Sequence, residues 1–166
     1  YLFGLPPERL EVVIHPQSVI HSMVQYRDTS VVAQLGTPDM RVPIAYGLSW
    51  PERMDSGANA LDFHALSAMT FEALDDHEHP ARFPGIRLAW DALKGPRGTT
   101  AVLNAANEIA VGAFLDRRIR FDQIHQVNQA CLAQVSPEMP TTLDDLMALD
   151  MQVRATAEDV VRLLAR

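Results

Sequence analysis

Two histidines and two serines fall within eight positions near the start of the chain, where His15, Ser18, His21 and Ser22 occur. Imidazole and hydroxyl groups suit a phosphate or another polar ligand, and histidine titrates near neutral pH. The same groups can instead satisfy backbone atoms at a strand bend or form a contact between two copies of the chain. Spacing alone favours the structural role, so the segment is a candidate site that needs further support.

A second candidate is the corner from Gly36 to Arg41, which follows a run of residues typical of a strand. Pro38 and Met40 could lie flat against an aromatic ring such as a nicotinamide, because such a ring favours an apolar, polarisable surface. Alternatively, the corner is an ordinary turn between a strand and a helix, and its methionine fills the core. The sequence alone favours the turn.

The acidic and histidine-rich run from Asp75 to His79 offers side chains that metals bind. A hard divalent cation needs a folded cage, however, and adjacent residues of an extended loop point in alternating directions. A solvated loop is therefore favoured, and an independent metal-binding protein that uses this run is the weakest of three hypotheses. The sequence contains no glycine-rich phosphate loop and no paired zinc-ligand spacing.

Asn104, Asn107 and Glu108 occupy adjacent turns of a predicted helix. A buried amide or carboxylate without a partner costs about 1–3 kcal/mol, so these side chains must find partners. They could bind a ligand, but we expect them to hydrogen-bond the backbone of a linker and to fix the bundle against its neighbour.

The first third of the chain predicts strands and one helix. Short β-branched runs predict strands at Leu10 to Ile14, Val19 to Tyr26 and Ser30 to Leu35. The last two runs are separated by a few polar residues, so they predict an antiparallel hairpin. A short helix with Pro43 in its first turn is expected to stop before Trp50.

Residues 51–82 hold no sustained hydrophobic period, apart from one possible short strand near Met69 to Phe71. Such a long irregular stretch is unusual inside a compact domain, so it predicts a linker. The expected division of the chain is therefore 1–50, 51–82 and 83–166.

From Phe83 onward the hydrophobic period is helical, which predicts a bundle. We expect the first helix to carry Ile86, Ala89, Trp90 and Leu93 on one face, and the second to be central because it is apolar on nearly all sides. The expected limits are Pro84 to Gly95, Thr99 to Asp116, Asp122 to Pro137, Thr142 to Leu149, and Asp150 onward. Asp122, Thr142 and Asp150 are the predicted N-caps.

The composition favours a soluble, acidic, globular protein: 48% of the 166 residues are hydrophobic and the formal net charge is -7. A negative surface argues against nucleic acid or an anionic membrane as a partner. The single cysteine, Cys131, excludes an internal disulfide. We see neither an apolar run long enough to span a bilayer nor a secretory leader. Because Tyr1 is not a methionine, we expect residues to precede it.

Several stretches resemble the C-terminal part of the 1-deoxy-D-xylulose 5-phosphate reductoisomerase family. They occur in the family's order, with near-family spacing, across essentially the whole chain, and together they are highly specific. The stretches are Glu11 to Met23 (EVVIHPQSVIHSM), Ala33 to Arg41 (AQLGTPDMR) with Pro43-Ile44-Ala45, Leu61 to Phe63, Phe83 to Trp90 (FPGIRLAW), Leu103 to Phe114 (LNAANEIAVGAF) and Ile119 to Phe121.

The resemblance implies an α+β fold, in which an antiparallel hairpin portion of a catalytic domain is joined by a long linker to a C-terminal α-helical bundle. It implies an oxidoreductase that uses NADPH and a divalent metal (magnesium, manganese or cobalt). The reaction would convert 1-deoxy-D-xylulose 5-phosphate to 2-C-methyl-D-erythritol 4-phosphate in non-mevalonate isoprenoid biosynthesis. The implied state is a cytoplasmic homodimer that binds a small sugar phosphate, without a nucleic-acid or membrane partner.

Residue by residue, the resemblance makes His21 a catalytic and substrate-binding residue, Pro38 a substrate-binding residue and Met40 a cofactor-binding residue. It implies that the metal ligands lie before Tyr1, so this chain holds none and is inactive alone. The hairpin turn, with Asp28-Thr29, departs from the family's glycine-containing turn, which we expect to change turn geometry and not chemistry. The alternative is a non-catalytic dimerisation or packing module.

Overall fold

The computed structural model describes residues 4–66, 68–74, 79–137 and 139–165. Within these ranges a short antiparallel sheet occurs together with several α-helices, so the predicted α+β class is confirmed. The elements are a 3-10 turn at Pro7–Arg9, strands β1 (Ile20–Gln25) and β2 (Val31–Leu35), and helices α1 (Arg41–Ser49), α2 (His79–Arg82), α3 (Pro84–Lys94), α4 (Thr99–Leu115), α5 (Phe121–Gln134) and α6 (Leu143–Leu164).

The chain divides into two compact units, one formed by Val12–Asp76 and the other by Tyr1–Glu11 together with His77–Arg166. The described part of residues 51–76 therefore packs in the same unit as the hairpin. One of its contacts is a hydrogen bond from the Thr37 hydroxyl to the Asn59 carbonyl, 2.9 Å long.

The predicted hairpin is confirmed: β1 and β2 pair in antiparallel register. Its turn is closed by a 2.9 Å hydrogen bond from the Tyr26 N–H to the Ser30 carbonyl. Thr29 has a φ of 69°, in the left-handed region that glycine occupies most easily. The Asp28 carboxylate accepts bonds from the Ser30 N–H and hydroxyl, at 3.0 and 2.6 Å, which stabilises the turn without glycine.

The strand predicted at Leu10 to Ile14 is wrong. Only Ile14 has a strand-like partner, an isolated antiparallel bridge to Glu72 with backbone hydrogen bonds of 3.1 and 2.9 Å. The strand expected at Met69 to Phe71 is likewise absent, and the bridge at Glu72 takes its place. A β-branched run forms a strand only where a partner edge is available, and here the available edge is one residue long.

Helix α1 agrees with its prediction. Pro43 lies in the first turn, where its missing N–H costs little, and the helix ends at Ser49. Of its residues, Ala45 is buried, whereas Ile44 and Leu48 are exposed.

The helical unit is built around α4, which packs against α3, α5 and α6. Four alanines of α4 are fully buried, and their small side chains let the neighbouring helices approach closely. None of the helices in the described ranges is long and apolar enough to cross a membrane. The core consists of Val102, Ala105, Ala106, Ala110, Ala113, Ile119, Val127, Cys131, Val135, Leu149, Val153, Ala157, Val160 and Val161.

Helix α3 begins at Pro84 and is followed by Gly95, as predicted, and its expected apolar face is only partly buried. Ala89 and Leu93 are exposed, whereas Ala92 is buried and Leu88 is half-buried. The helix has one clearly apolar side, but that side is wider than the strip that α4 and α5 cover, so the period alone does not decide which of its residues are buried.

The N-cap predicted at Asp122 is wrong, because helix α5 already begins at Phe121. Arg120 is the N-cap, and its N–H donates to the Gln123 side-chain oxygen at 2.7 Å. The Asp122 carboxylate instead pairs with the Arg120 guanidinium at 2.7 Å. Gln123 is itself buried, so the residue that closes this helix end is also part of its inner face.

The predicted break at Asp150 is wrong, because α6 is one helix of 22 residues. No glycine or proline interrupts residues 143–164, so nothing ends the helix there. Asp150 lies inside it, and its carboxylate pairs with the Arg154 guanidinium one turn later, at 2.6 Å.

The capping box predicted at the start of α6 is confirmed. The Thr142 hydroxyl accepts from the Asp145 N–H at 3.1 Å, and the Asp145 carboxylate accepts from the Thr142 N–H at 3.0 Å. The Asp145 carboxylate also accepts from the N–H and hydroxyl of Thr141. The N–H groups of Thr141 and Thr142, followed by their hydroxyls, lower the pKa of Asp145 from 3.8 to about 2.

This cap predicts a defined acid sensitivity. Because the folded-state pKa is depressed, the contribution of Asp145 is present above about pH 4 and is lost as the pH falls toward 2. The melting temperature of wild type should therefore drop more steeply over that window than that of Asp145→Asn. Circular dichroism melts between pH 2 and 6 would measure this. Asp144→Asn, which retains the Asp145 hydrogen bonds, should keep the wild-type slope, and equal slopes for all three proteins would contradict the assignment.

Candidate active site

His21 lies at an irregularity in the sheet. Ile20 pairs with Leu35 and Ser22 pairs with Gln34, so the first strand has one extra residue at His21. A β-bulge of this kind redirects a side chain and is common beside active sites. The His21 side chain is exposed, and its Nε2 lies 3.1 Å from the Ser18 carbonyl oxygen.

The corner that the sequence singled out begins beside this ring. A Cβ atom at Gly36 would lie 4.0 Å from Cε1 of His21, and the Gly36 N–H donates to the Val19 carbonyl at 3.0 Å. The structure therefore brings together the two candidate segments, which are 15 positions apart from His21 to Gly36.

An ion pair holds the far side of the corner. The Asp39 carboxylate accepts from the Arg41 N–H at 2.9 Å and from the Arg41 guanidinium at 2.5 Å. Hydrogen bonds from the Arg41 side chain, and then from its backbone, lower the pKa of Asp39, so the carboxylate stays charged near neutral pH. The sequence-based reasoning did not identify this pair, although acid and base two positions apart in a turn are a visible signal.

The interpretation that Met40 fills the core is wrong. Met40 is 71% exposed, and Pro38 between Thr37 and Asp39 is exposed as well. An exposed methionine two positions after an exposed proline presents an apolar, polarisable surface at this corner. That arrangement fits the predicted contact with a flat aromatic ring.

Residues before His21 are tied to the segment around Thr70. The Gln17 side chain donates to the Thr70 hydroxyl at 2.9 Å and accepts from the Thr70 N–H at 3.1 Å. The His15 ring donates from Nδ1 to the Thr70 carbonyl at 2.9 Å and lies 5.1 Å from the Phe71 ring. No local pattern indicates this contact, because the partners are 53 to 55 positions apart.

The polar residues of α4 connect helices to one another. Asn104 donates to Glu108 at 3.0 Å, and Glu108 pairs with Arg154 of α6 at 2.6 Å. Asn128 of α5 donates to Asn107 at 3.0 Å. The Arg154 side chain, followed by that of Asn104, lowers the pKa of Glu108. The predicted partner, linker backbone, is wrong: these side chains bond one another and side chains of α5 and α6, so they connect helices within the bundle.

An open pocket of about 300 Å³ lies next to these amides. It is lined by Gly85, Thr100, Leu103, Asn104, Asn107 and Asn128. Its lining holds neither a histidine nor a charged group, so it offers no acid–base chemistry.

The predicted metal-type run at Asp75 to His79 lies outside the residues whose side chains the structure describes. Within the described part of the chain, no three His, Cys, Asp or Glu side chains are grouped closely enough to hold a metal ion.

The described residues thus form two units. One carries a histidine at a strand bulge, beside the start of a corner with an exposed proline and methionine, and the other is an alanine-rich helical unit. Residues 35–156 match the family described as the DXP reductoisomerase C-terminal domain. The chain therefore belongs to this family, and the resemblance noted in the sequence is confirmed.

Curated relatives support the same assignment. The 1-deoxy-D-xylulose 5-phosphate reductoisomerase of Laribacter hongkongensis is 54% identical over 154 residues, which cover 93% of this chain and 39% of the relative. The protein of the same name from Ralstonia pickettii is 55% identical over 158 residues, covering 95% of this chain and 39% of the relative. The chain thus spans about two fifths of the length of these relatives.

Solved structures agree in fold. The 1-deoxy-D-xylulose 5-phosphate reductoisomerase from Zymomonas mobilis in complex with NADPH has a TM-score of 0.81 and 46% identity, covering 96% of this chain and 41% of that one. A DOX-P reductoisomerase in complex with NADPH, fosmidomycin and magnesium has a TM-score of 0.85 and 39% identity, covering 98% of this chain and 41% of that one.

Proposed function

We propose that this chain forms one wall of the active-site cleft of a reductoisomerase that converts 1-deoxy-D-xylulose 5-phosphate to 2-C-methyl-D-erythritol 4-phosphate. The enzyme would be a cytoplasmic oxidoreductase of non-mevalonate isoprenoid biosynthesis, without a nucleic-acid or membrane partner. The observation that carries the proposal is the placement of His21 beside Gly36, the first residue of the corner that includes the exposed Pro38 and Met40. Membership of the family gives that placement its chemical meaning.

Each of the three residues has a specific role in the proposal. His21 hydrogen-bonds a polar oxygen of the sugar phosphate and is the catalytic residue of this wall. Pro38 contacts the substrate, and Met40 contacts the nicotinamide ring with its thioether. When bound, NADPH supplies the hydride that reduces the rearranged substrate. The chain's own contribution is to bind, to orient and to keep water from this side of the cleft.

The proposal places the divalent metal (magnesium, manganese or cobalt) on residues outside this chain. The described side chains here do not fit a metal site, because they include no group of three suitable ligands. The solved relative that holds magnesium is more than twice as long as this chain, which leaves ample protein to supply the ligands.

The proposal is tested by an activity assay of two proteins. The intact polypeptide that carries this chain should oxidise NADPH in a manner that depends on 1-deoxy-D-xylulose 5-phosphate and Mg²⁺ or Mn²⁺. The isolated chain should not. Turnover by the isolated chain would refute the proposal that essential groups lie outside it. An intact protein that folds but shows no substrate-dependent oxidation would refute the proposed function.

The proposed organisation has three segments. Residues 1–50 belong to the catalytic domain, 51–82 form the linker and 83–166 form the helical bundle. The described residues between the end of α1 and the start of α2 contain no helix, and α4 to α6 share one core against which α3 packs, which supports the last two segments.

We also propose that the hairpin mediates a homodimer. Val24 and Val32 pair across the two strands and are 55% and 60% exposed, although both are apolar. A two-stranded sheet also leaves an outer edge on each strand, which a second copy can extend. The exposed valines and the open strand edges could both be covered by the hairpin of a second copy of the chain.

Sedimentation of the intact protein tests this interface. Wild type should be a dimer, and Val32→Lys should shift it toward monomer because the charge would be buried in the interface. Leu163→Lys changes an equally exposed residue of α6 and should remain dimeric. A monomeric wild type would refute the dimer, whereas a dimer without NADPH oxidation would favour the alternative of a non-catalytic packing module.

A further inference from the structure

We infer that Gln17 and Thr70 are positioning residues for His21: they hold the loop whose Ser18 carbonyl fixes the imidazole in one tautomer and presents Nδ1 to the substrate. This inference deepens the proposed function and rests on it for its kinetic consequence. Its structural part concerns only residues of the Val12–Asp76 unit and can be measured without activity.

The loop from His15 to Ser18 is anchored to Thr70 by side-chain hydrogen bonds. Gln17 bonds Thr70 twice, with its amide nitrogen on the hydroxyl at 2.9 Å and its amide oxygen on the N–H at 3.1 Å. Two bonds from one planar amide fix both the position and the orientation of the side chain. The His15 ring adds a third bond, to the Thr70 carbonyl at 2.9 Å. The loop from His15 to Ser18 is therefore anchored to Thr70 at its first and third residues.

The backbone at Ser18 has a conformation that serine rarely adopts. Its φ is 52°, a left-handed value that is costly for a serine. Such a conformation persists only where the surrounding structure determines it, and such residues cluster at functional sites. Here the Ser18 N–H donates to the His15 carbonyl at 3.0 Å, so the anchored loop imposes the conformation. The result is that the Ser18 carbonyl points at the His21 ring.

The hydrogen bond to the Ser18 carbonyl determines the tautomer of His21. A carbonyl oxygen only accepts hydrogen bonds, so Nε2 of His21, 3.1 Å from it, carries the proton. In the neutral ring Nδ1 is then an acceptor, and the bulge places this ring on the exposed side of β1 beside Gly36. An acceptor in that position suits a hydroxyl group of the sugar phosphate. By the same rule His15 carries its proton on Nδ1, so the two histidines have opposite tautomers.

The opposite tautomers give a direct spectroscopic test. In the ¹⁵N-histidine-labelled chain above the titration range of histidine, the ring nitrogen shifts should show His15 protonated on Nδ1 and His21 on Nε2. The peaks would be assigned with His15→Gln and His21→Gln. Gln17→Ala and Thr70→Val should convert His21 to a mixture of tautomers, whereas Thr70→Ser should preserve the wild-type pattern. Gln25→Ala, a matched change at an exposed strand position, should also leave it unchanged.

The kinetic test uses the intact enzyme. Gln17→Ala should lower kcat/KM by about tenfold, within the range that small displacements of a reacting group produce. Thr70→Ser should restore most of the activity that Thr70→Val loses, and melting temperatures of these variants should not follow the same order. If Gln17→Ala fails to fold, the Thr70→Ser and Thr70→Val pair still decides.

The outcomes separate the two proposals. A His21 ring protonated on Nδ1 in wild type, or a tautomer unaffected by both Gln17→Ala and Thr70→Val, would overturn the positioning role whatever the activity. If the tautomers are as expected but the intact protein does not turn over the substrate, the proposed function is refuted and the positioning role of Gln17 and Thr70 is retained.

Discussion

Replacing His21 with glutamine in the intact enzyme should raise the KM for the sugar phosphate by about tenfold, since a lost hydrogen bond to a polar ligand costs about 1.5 kcal/mol. Its melting temperature should change by less than about 2 °C, because a substitution at an exposed side chain usually costs under about 0.5 kcal/mol. Initial rates over a range of substrate concentrations, together with thermal melts, would measure both effects.

A matched control is available in the same unit. His64 is exposed and its side chain is outside the proposed site, so His64→Gln should leave KM unchanged. The opposite ranking for His21→Gln, a large loss of stability with an unchanged KM, would make His21 a structural residue.

Replacing Ala106 with leucine should destabilise the helical unit by about 3 kcal/mol, because extra methylene groups in a packed core force side chains and backbone apart. Ala106 is 0% exposed and lies on α4, which three other helices contact. For a chain of this size the melting temperature should fall by about 6–12 °C. Chemical denaturation at constant pH would give the free energy of unfolding directly.

Ala148→Leu makes the same chemical change on the exposed side of α6 and should alter stability by less than about 0.5 kcal/mol. Equal effects of the two substitutions would show that α4 is not the centre of the packed core.

Local signals in the sequence were sufficient for the ends of several elements. The capping box of Thr142 and Asp145, the proline that opens α3 and the turn around Asp28 each act over a few residues. Such interactions are complete within the segment that shows them, so the sequence predicts them well.

Two predictions about secondary structure were wrong because they depend on which residue or segment acts as the partner. Asp150 can cap a helix or pair with Arg154 one turn later, and the continuous helix decides for the pair. The run before His15 has strand composition but finds only Glu72 as a partner, 58 positions from Ile14. Choices of this kind depend on tertiary packing, which a local pattern does not contain.

The site shows the same limit. The types of His21, Pro38 and Met40 indicated candidate chemistry, and the family resemblance assigned their roles. The bulge at His21 depends on strand register, and the contact between Gln17 and Thr70 depends on a distant segment, so only the structure could reveal them.

The most direct test is a chimera in which this chain replaces its counterpart in the Laribacter hongkongensis reductoisomerase, with which it shares 54% identity over 154 residues. The relevant measurement is NADPH oxidation in the presence of 1-deoxy-D-xylulose 5-phosphate and Mg²⁺. We expect turnover by the chimera, none by the relative without this part, and a raised KM when His21→Gln is introduced into the chimera. A chimera that folds and dimerises but leaves NADPH unoxidised would contradict the claim that this chain completes the cleft.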